Sequence, residues 1–434
     1  MAIDLSKQRA KASVKRSKDK TVGTTKTAKR STPNGLVDGS PRRVPEPDER
    51  RAMRTVMELL AIPGTSGQEG QVVETIIEKL RRAGAPADSV CTDQAHKKTP
   101  LKGEVGNLIF KLPGTLPGPR RLLMAHVDTV PICVGTRPVR KGDWVESGNK
   151  QTGLGADDRA GAAAVLNTAL EILEHDLPHP PLTFFWPVQE EVGLHGARHV
   201  QLSLLGKPRL AFNWDGGSPE KITMGATGGY RMAVTVRGLA SHAGVAPEEG
   251  VSAIAIASLA VAELARDGWH GDVRRGEKRG TTNVGYIHGG GATNVVTDQV
   301  ELKIEARSHD PAFRAEIVQA IEQAFHRAAQ AVRSASGVCG SVAISGALDY
   351  ESFRLAEDEP CVLAAEAAVR SIGVQPLRAI SNGGLDANWM TAHGIPTVTL
   401  GCGQVNVHTV SEKLDVAAFR KACRIALRLA TGTA

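Results

Sequence analysis

The chain has 434 residues, of which 41% are hydrophobic, so it is long enough for two or three domains with packed cores. Aromatic residues make up only 4%, which argues against base stacking on nucleic acid as the main function. No run of about 18 apolar residues and no secretory signal is present, and six scattered cysteines without a CxxC pair predict reduced thiols in a cytoplasmic protein.

The positive charge of the chain is concentrated at its N-terminus. Residues 1–45 contain twelve Lys and Arg against three Asp, a balance of +9, so the remaining 389 residues sum to −2 of the total of +7. This Lys-, Ser- and Thr-rich segment lacks a hydrophobic stretch, which predicts a disordered basic tail. A solvated arm is the simplest interpretation. The alternatives are a transit peptide or a weak, salt-sensitive attraction to anionic surfaces or nucleic acid.

From residue 46 the hydrophobic pattern alternates between helical and strand periods. This alternation predicts an α/β domain with an open, largely parallel sheet flanked by helices. Ligands of such sheets gather at the carboxyl ends of the strands. The predicted helices cover 50–62, 71–83 and 159–175, and the predicted strands cover 107–112, 121–130, 182–189 and 210–214.

A different order of elements occupies residues 226–348. It is strand, helix, two strands, helix and strand, which matches a small α+β domain of the split βαβ, ferredoxin-like kind. The α/β pattern then returns, so the small domain is predicted to be inserted between two parts, 46–225 and 349–434, of the larger one. The predicted elements of the insertion are 230–237, 252–266, 282–288, 299–307, 311–332 and 338–345, followed by 360–371, 397–400 and 415–430.

Two adjacent acidic residues, Glu190 and Glu191, close the predicted strand 182–189. Neighbouring residues at a strand end point in different directions, so one carboxylate is free to bind a metal while the other exchanges a proton with water. Because a Glu-Glu pair is also common on solvated helix faces, its meaning depends on the residues around it.

His126 and Asp128 alternate along the predicted strand 121–130, so their side chains share one face. His126 suits a divalent metal, and Asp128 then suits a position behind it, where a carboxylate fixes the tautomer and aim of the ring. The alternative is a salt-linked pair without a metal.

Asp157 and Asp158 stand where the predicted helix 159–175 begins. Asp is a routine N-cap, but two in succession exceed what a cap needs, and a carboxylate at this turn is placed to bridge two cations. Asp215 and His408 each follow a further predicted strand. An N/O ligand set without thiolates suits zinc, with cobalt and manganese as alternatives, and two metals that share a carboxylate are the usual hydrolytic arrangement.

Five motifs occur together in an order that resembles the M20 metallopeptidases, most nearly their peptidase T branch. The resemblance covers nearly everything after residue 46. It implies a catalytic domain of the zinc-exopeptidase type, with the insertion as a lid or dimerisation domain. The motifs are MAHVDTVP at 124–131, GADDRAG at 155–161, QEEVG at 189–193, WDGG at 214–217 and VHT at 407–409.

The resemblance implies two divalent metal ions and a role for each ligand position. The implied ligands are His126 and Asp215 for one ion, Glu191 and His408 for the other, and Asp157 as the bridge between them.

Further roles and two departures follow from the same resemblance. Glu190 would be the general base, Asp128 would be the orienting carboxylate, and the peptide bond after Asp157 would be cis. Arg159 stands where the family commonly has Lys and is expected on the helix surface. Leu385 replaces a frequent Thr or Ser, which puts a substrate-side hydrogen bond in doubt.

Substrate-side residues are implied in the insertion and after it. His242 and Asn294 resemble lid residues that approach the substrate, often from a partner subunit, and help to hold the developing oxyanion. Arg307 would pair bidentately with the substrate's carboxylate. Gly384 and Asp386 would shape the wall of the pocket. The alternatives are that Asn294 only ends a turn and that Arg307 is an exposed strand residue.

The resemblance therefore implies a metal-dependent exopeptidase that hydrolyses short peptides, with an aminopeptidase or tripeptidase as the first choice. One alternative is an amidohydrolase that removes an N-acyl group from amino acids, since the same metal machinery cleaves both bonds. Another is a non-catalytic binding protein. The expected partner is a small peptide, and the lid implies either a homodimer or closure within one chain.

Overall fold

The protein is described from a computed structural model, which covers residues 46–433; the predicted basic tail at 1–45 lies outside this part. The α-helices of residues 46–433 are α1 (Glu49–Ala61), α2 (Gly70–Arg82), α3 (Ala156–Glu174), α4 (His195–His199), α5 (Ala253–Arg266), α6 (Pro311–Ala331), α7 (Pro360–Ser371), α8 (Asp386–Ala392) and α9 (Val416–Thr431).

The strands fall into three sheets. They are β1 (Val90–Thr92), β2 (Leu108–Leu112), β3 (Arg121–Met124), β4 (Pro138–Lys141), β5 (Trp144–Ser147), β6 (Leu182–Trp186), β7 (Leu210–Trp214), β8 (Lys221–Ala226), β9 (Gly228–Arg237), β10 (Gly271–Arg275), β11 (Lys278–Gly289), β12 (Gln299–Ser308), β13 (Ser341–Tyr350), β14 (Phe353–Arg354), β15 (Leu377–Ser381), β16 (Thr397–Leu400), β17 (Gln404–Val405) and β18 (Lys413–Asp415).

The largest sheet has the strand order β1-β2-β6-β3-β7-β16-β8-β14, with β15 paired beside β8. Its centre is parallel, because β3 pairs with β6 and β7, and β7 pairs with β16, all in the same direction. Antiparallel strands complete both sides, including β2 against β6 and β8 against β16. The prediction of a largely parallel, mixed sheet is confirmed.

Burial explains why the central strands carry continuous apolar runs. Every residue of β6 and of β7 is buried, as is usual for a sheet that is covered on both faces. Helix α3 is Ala-rich and almost wholly buried, and it packs against this sheet and against α1 and α9. The parallel centre brings the carboxyl ends of β3, β6, β7 and β16 to one edge, where α3 begins.

Two predicted strands are shorter in the structure. The predicted strand 182–189 ends at Trp186, because Pro187 has no N–H to continue the ladder. The predicted strand 121–130 ends at Met124, but the chain stays extended beyond it. The amide of Val127 donates to the carbonyl of Pro187 over 3.1 Å, which holds this segment beside its neighbour.

The second sheet is entirely antiparallel, in the order β10-β11-β12-β9-β13. One face is covered by α5 and α6, and buried side chains such as Phe313 and Phe325 form a hydrophobic core of its own. Strand β10 was not predicted from the sequence. Its five residues are mostly charged and only Val273 is buried, so it shows no apolar alternation. Ser252 and Asp310 cap the two helices by accepting backbone N–H bonds.

The structure bears on two further features of the chain, its helices and its cysteines. None of the helices within residues 46–433 has the length and apolar character that crossing a bilayer requires. All six cysteines carry free thiols.

Candidate metal centre

Two sets of side chains that could hold a metal ion share Asp157. One set contains His126 and Asp215, the other contains Glu191 and His408, and within each set the ligand atoms lie within 4.8 Å of one another. Nε2 of His126 is 3.2 Å from Oδ1 of Asp157, and Nε2 of His408 is 3.2 Å from its Oδ2. Each carboxylate oxygen of Asp157 therefore faces a different imidazole.

These five residues meet beside the large sheet although they come from different elements. His126, Glu191 and Asp215 follow β3, β6 and β7, and Asp157 lies in the first turn of α3. The peptide bond from Asp157 to Asp158 is cis, as predicted. His408 follows β17 with a positive φ of 62°, and its ring reaches back to within 3.0 Å of Glu191 Oε2.

Asp128 ties the two ligand loops together. Its carboxylate accepts hydrogen bonds from the amides of Glu190 at 3.0 Å and Glu191 at 3.2 Å, and from the hydroxyl of Ser66 at 2.7 Å. Its Oδ1 also lies 3.4 Å from Nδ1 of His126. Burial alone would raise the pKa of Asp128, but the hydrogen bond and charge of His126, together with the hydrogen bonds from Ser66 and the amide of Glu190, lower it. This charged carboxylate therefore aims the ring of His126 and holds the loop after β6.

Negative charge is concentrated in a buried space. Burial raises the pKa of Glu190 well above its ordinary value, and Asp215 and Asp386 raise it further. Burial, followed by the charge of Asp157, raises the pKa of Asp215 to about 7. Among the described residues, the carboxylate of Glu190 has no hydrogen-bonding or ionic partner. Such crowding favours bound cations, which would offset the repulsion that raises these pKa values.

The neighbouring thiols do not belong to the donor set. Cys402 lies 3.5 Å from Asp158, and Cys133 lies 3.6 Å from Glu412. Burial raises the pKa of both thiols, so they stay protonated. The remaining donors are imidazole nitrogens and carboxylate oxygens, a set that fits a divalent cation such as zinc.

His242 and Asn294, the implied lid residues, lie together but away from the two ligand sets. The amide of Ala243 donates to the carbonyl of Asn294 over 2.9 Å, and both His242 and Asn294 are exposed. No hydrogen bond or ion pair within residues 46–433 joins either one to the metal ligands. Arg307 lies on β12 of the five-stranded sheet, and its guanidinium pairs with Glu305 at 3.0 Å.

Gly384 and Asp386 line the approach from β15 to α8. A Cβ on Gly384 would stand 2.4 Å from Cζ of Tyr350, so only glycine fits there. Asp386 is 1% exposed, and neither carboxylate oxygen has a hydrogen-bond partner among the described residues. Burial raises the pKa of Asp386 to about 8, which the nearby His126 opposes.

The family model described as peptidase family M20/M25/M40 matches residues 122–432. The chain belongs to this family. The resemblance to M20 metallopeptidases and the prediction of a metal-dependent hydrolase are thereby confirmed.

Relatives of this M20 chain include the uncharacterized protein YqjE of Bacillus subtilis, which is 31% identical over 372 residues, or 85% of this chain and 94% of YqjE. A tripeptidase crystal structure from Staphylococcus aureus is 31% identical with a TM-score of 0.79, covering 89% of this chain and 98% of its own. A crystal structure of aminopeptidase PepT from Bacillus cereus is 30% identical with a TM-score of 0.75, covering 88% and 98%. These likenesses support a peptidase T-like member of the M20 family.

The expectation for Arg159 was wrong. This residue of the M20 chain is 1% exposed, and its guanidinium donates to the carbonyls of Leu59 at 3.0 Å and Gly64 at 3.2 Å. Burial lowers the pKa of Arg159 to about 10, and the nearby Asp128 and Glu69 oppose that shift. A cation is retained inside the protein because these carbonyls and carboxylates solvate it.

Sequence reasoning missed Glu412, which is 2% exposed. Its carboxylate accepts hydrogen bonds from the amides of Leu154 at 2.9 Å, Gly155 at 2.7 Å and Asp157 at 3.0 Å. Glu412 thus connects the segment that leads into Asp157 with the loop that carries His408. The only signal in the sequence is its position four residues after that histidine.

We expect Glu412→Gln to weaken metal binding by about 10- to 100-fold, because the amide nitrogen of Gln cannot accept the backbone hydrogen bonds that hold Asp157. The measurement is zinc affinity by competition with a chelator. Glu74→Gln, at an exposed position of α2, is the matched control. Unchanged affinity in Glu412→Gln would show that the loop needs no such support.

Proposed function

We propose that this M20 peptidase is an exopeptidase that removes N-terminal residues from short peptides, with tripeptides as the first substrates to test. The observation that carries the proposal is the position of Asp157, whose two oxygens each face one imidazole from a different ligand set. This arrangement supports a dinuclear centre. The likeness to a tripeptidase and to an aminopeptidase supports the substrate class.

We assign one cation to each of the two candidate ligand sets. His126 and Asp215 would hold one divalent ion, Glu191 and His408 would hold the other, and Asp157 would contact both. When bound, the two ions would polarise the scissile carbonyl and supply a nucleophilic water at neutral pH. Zinc is the expected metal, with cobalt and manganese as alternatives.

Glu190 is the proposed general base and acid. It directly precedes the ligand Glu191, and among the described residues its carboxylate has no partner that would compete for a proton. It takes a proton from the attacking water and gives it to the departing amine. Asp128 contributes by fixing the ring of His126 and the amides of the Glu190–Glu191 loop.

We further propose that residues 226–348 act as a lid on a catalytic domain formed by 46–225 and 349–434. His242 and Asn294 would assist the oxyanion, and Arg307 would bind the substrate's carboxylate. Because no hydrogen bond or ion pair within residues 46–433 joins His242 or Asn294 to the ligand sets, their proposed role requires closure of the lid or a partner subunit in a homodimer. Six free thiols support a reducing, cytoplasmic compartment.

Replacing Glu190 with Gln should leave the metal content unchanged and lower kcat by about 10²- to 10⁴-fold, since the proton acceptor is lost while the ligands remain. Metal analysis and kinetics on a tripeptide measure the two effects. Glu174→Gln, near the end of α3, is the matched control. Near-native turnover in Glu190→Gln would contradict the assignment of the base.

Asp157→Ala should bind neither metal ion tightly, because both ligand sets lose their common carboxylate. Elemental analysis of the purified variant measures this loss directly. Retention of two ions per chain would refute the bridging role.

A panel of blocked and free peptides tests the substrate class. An aminopeptidase should cleave Ala-Ala-Ala but not its N-acetyl form, because it requires the free N-terminal amine. The panel is run with zinc, cobalt and manganese in parallel, and products are identified by mass spectrometry. Release of acetate with intact peptide bonds would instead establish the amidohydrolase, and no hydrolysis with any metal would favour a binding protein.

A further inference from the structure

A positively charged cavity of about 340 Å³ lies beside Arg307, between the five-stranded sheet and the loop after β15. Three guanidinium groups, those of Arg274, Arg279 and Arg307, contribute to its wall, and Asp272 is the one carboxylate in the lining. With histidine neutral, the lining therefore carries +2. A concave site with excess positive charge favours an anionic ligand.

Strand register explains why the arginines converge. In the antiparallel pair β10–β11, Arg274 lies directly opposite Arg279, and in the pair β11–β12 Arg307 lies opposite Thr281. Residues opposite each other or two apart share a face of the sheet, so all three side chains emerge on the same side. Like charges directly opposite each other destabilise a sheet, which gives this pairing a cost that a bound anion would offset.

The charges of the three arginines are not equally satisfied. Arg274 pairs with Asp272 at 2.6 Å, and Arg307 pairs with Glu305 at 3.0 Å. The guanidinium of Arg279, by contrast, has no ionic or hydrogen-bonding partner within residues 46–433, although the backbone carbonyl of this residue accepts from the hydroxyl of Ser308. Its exposed guanidinium keeps all of its donors available for a ligand.

The cavity connects to the proposed active site through one loop. Asn382 belongs to the lining, and its side-chain oxygen accepts a hydrogen bond from Nε2 of His309 over 3.0 Å. Four residues later, Asp386 interacts electrostatically with His126 and Asp215. The same short segment, Asn382 to Asp386, therefore borders the cavity at one end and interacts with the candidate metal ligands at the other.

We propose that this cavity binds the C-terminal residue of the peptide and selects an acidic side chain there. Arg307 takes the main-chain carboxylate, and Arg279, with Arg274 beside it, takes the side-chain carboxylate of Asp or Glu. Planar guanidinium groups suit this task because they bind carboxylates through two parallel hydrogen bonds. The inference rests on the proposed exopeptidase function and names the substrate class of that same site.

The test compares two nearly isosteric tripeptides, Ala-Ala-Glu and Ala-Ala-Gln, on the full-length, zinc-loaded enzyme. We expect kcat/KM to be at least tenfold higher for the Glu peptide, chiefly through a lower KM. In Arg279→Gln the Glu-to-Gln ratio should fall at least fivefold. In Arg279→Glu the ratio should fall below one, and Ala-Ala-Lys should become the better substrate.

Arg237→Gln is the matched control. Arg237 is an exposed arginine of the same sheet, eight residues along β9 from Gly229, the residue opposite Arg307. At about 3.3 Å per residue, Arg237 lies about 26 Å along the strand from Gly229. The Glu-to-Gln ratio of Arg237→Gln should therefore equal that of the wild type.

The possible failures are separable. Equal kcat/KM for the two peptides in the wild type, or a Glu-to-Gln ratio that Arg279→Gln leaves unchanged, would overturn the acidic subsite and leave the exopeptidase intact. Hydrolysis of neither peptide would overturn the exopeptidase function itself, and the subsite with it.

Discussion

Buried negative charge around Asp157 is the constraint on which the neighbouring structure depends. Carboxylates lose hydration when they are buried, and each one raises the cost of ionising the next. Two imidazoles meet part of that cost, one on each oxygen of Asp157. For Glu190 and Asp215 the charge of His126 offsets burial only in part, so their pKa values remain raised. The protein is therefore built to be completed by cations, and removing them should destabilise the very loops that bind them.

The ligand loops hold their positions through backbone hydrogen bonds to two other carboxylates. Asp128 accepts the amides after β6, while Glu412 accepts those at the start of α3. Neither residue belongs to the ligand sets, yet each connects two ligand-bearing segments that are far apart in sequence. Charge-assisted hydrogen bonds of this kind are stronger than neutral ones, which suits them to hold a site whose members repel one another.

Under the proposed function, metal binding and peptide recognition belong to parts of the chain that have separate hydrophobic cores. The candidate metal ligands gather beside the large sheet, whereas the antiparallel sheet carries Arg307, and His242 and Asn294 lie together in its loops. A site divided in this way would assemble only when the two parts meet around a substrate. Catalysis would then begin once the peptide has excluded water from the metal centre.

Much of the fold was predictable because it rests on local periodicity: β7 and β16 have the predicted bounds, and the helices differ by a few residues at their ends. The candidate ligands His126, Glu191 and Asp215 were recognisable because each follows a parallel strand of the large sheet, and Asp157 because it begins a buried helix. Contacts between residues far apart in the sequence could not be predicted. The charged strand β10, the burial of Arg159 and the three amides bound by Glu412 depend on which segments meet in space, and a side chain's sequence neighbours do not specify that. Chain order alone therefore determined the chemistry available, whereas tertiary packing decided which charges are buried, paired or left free.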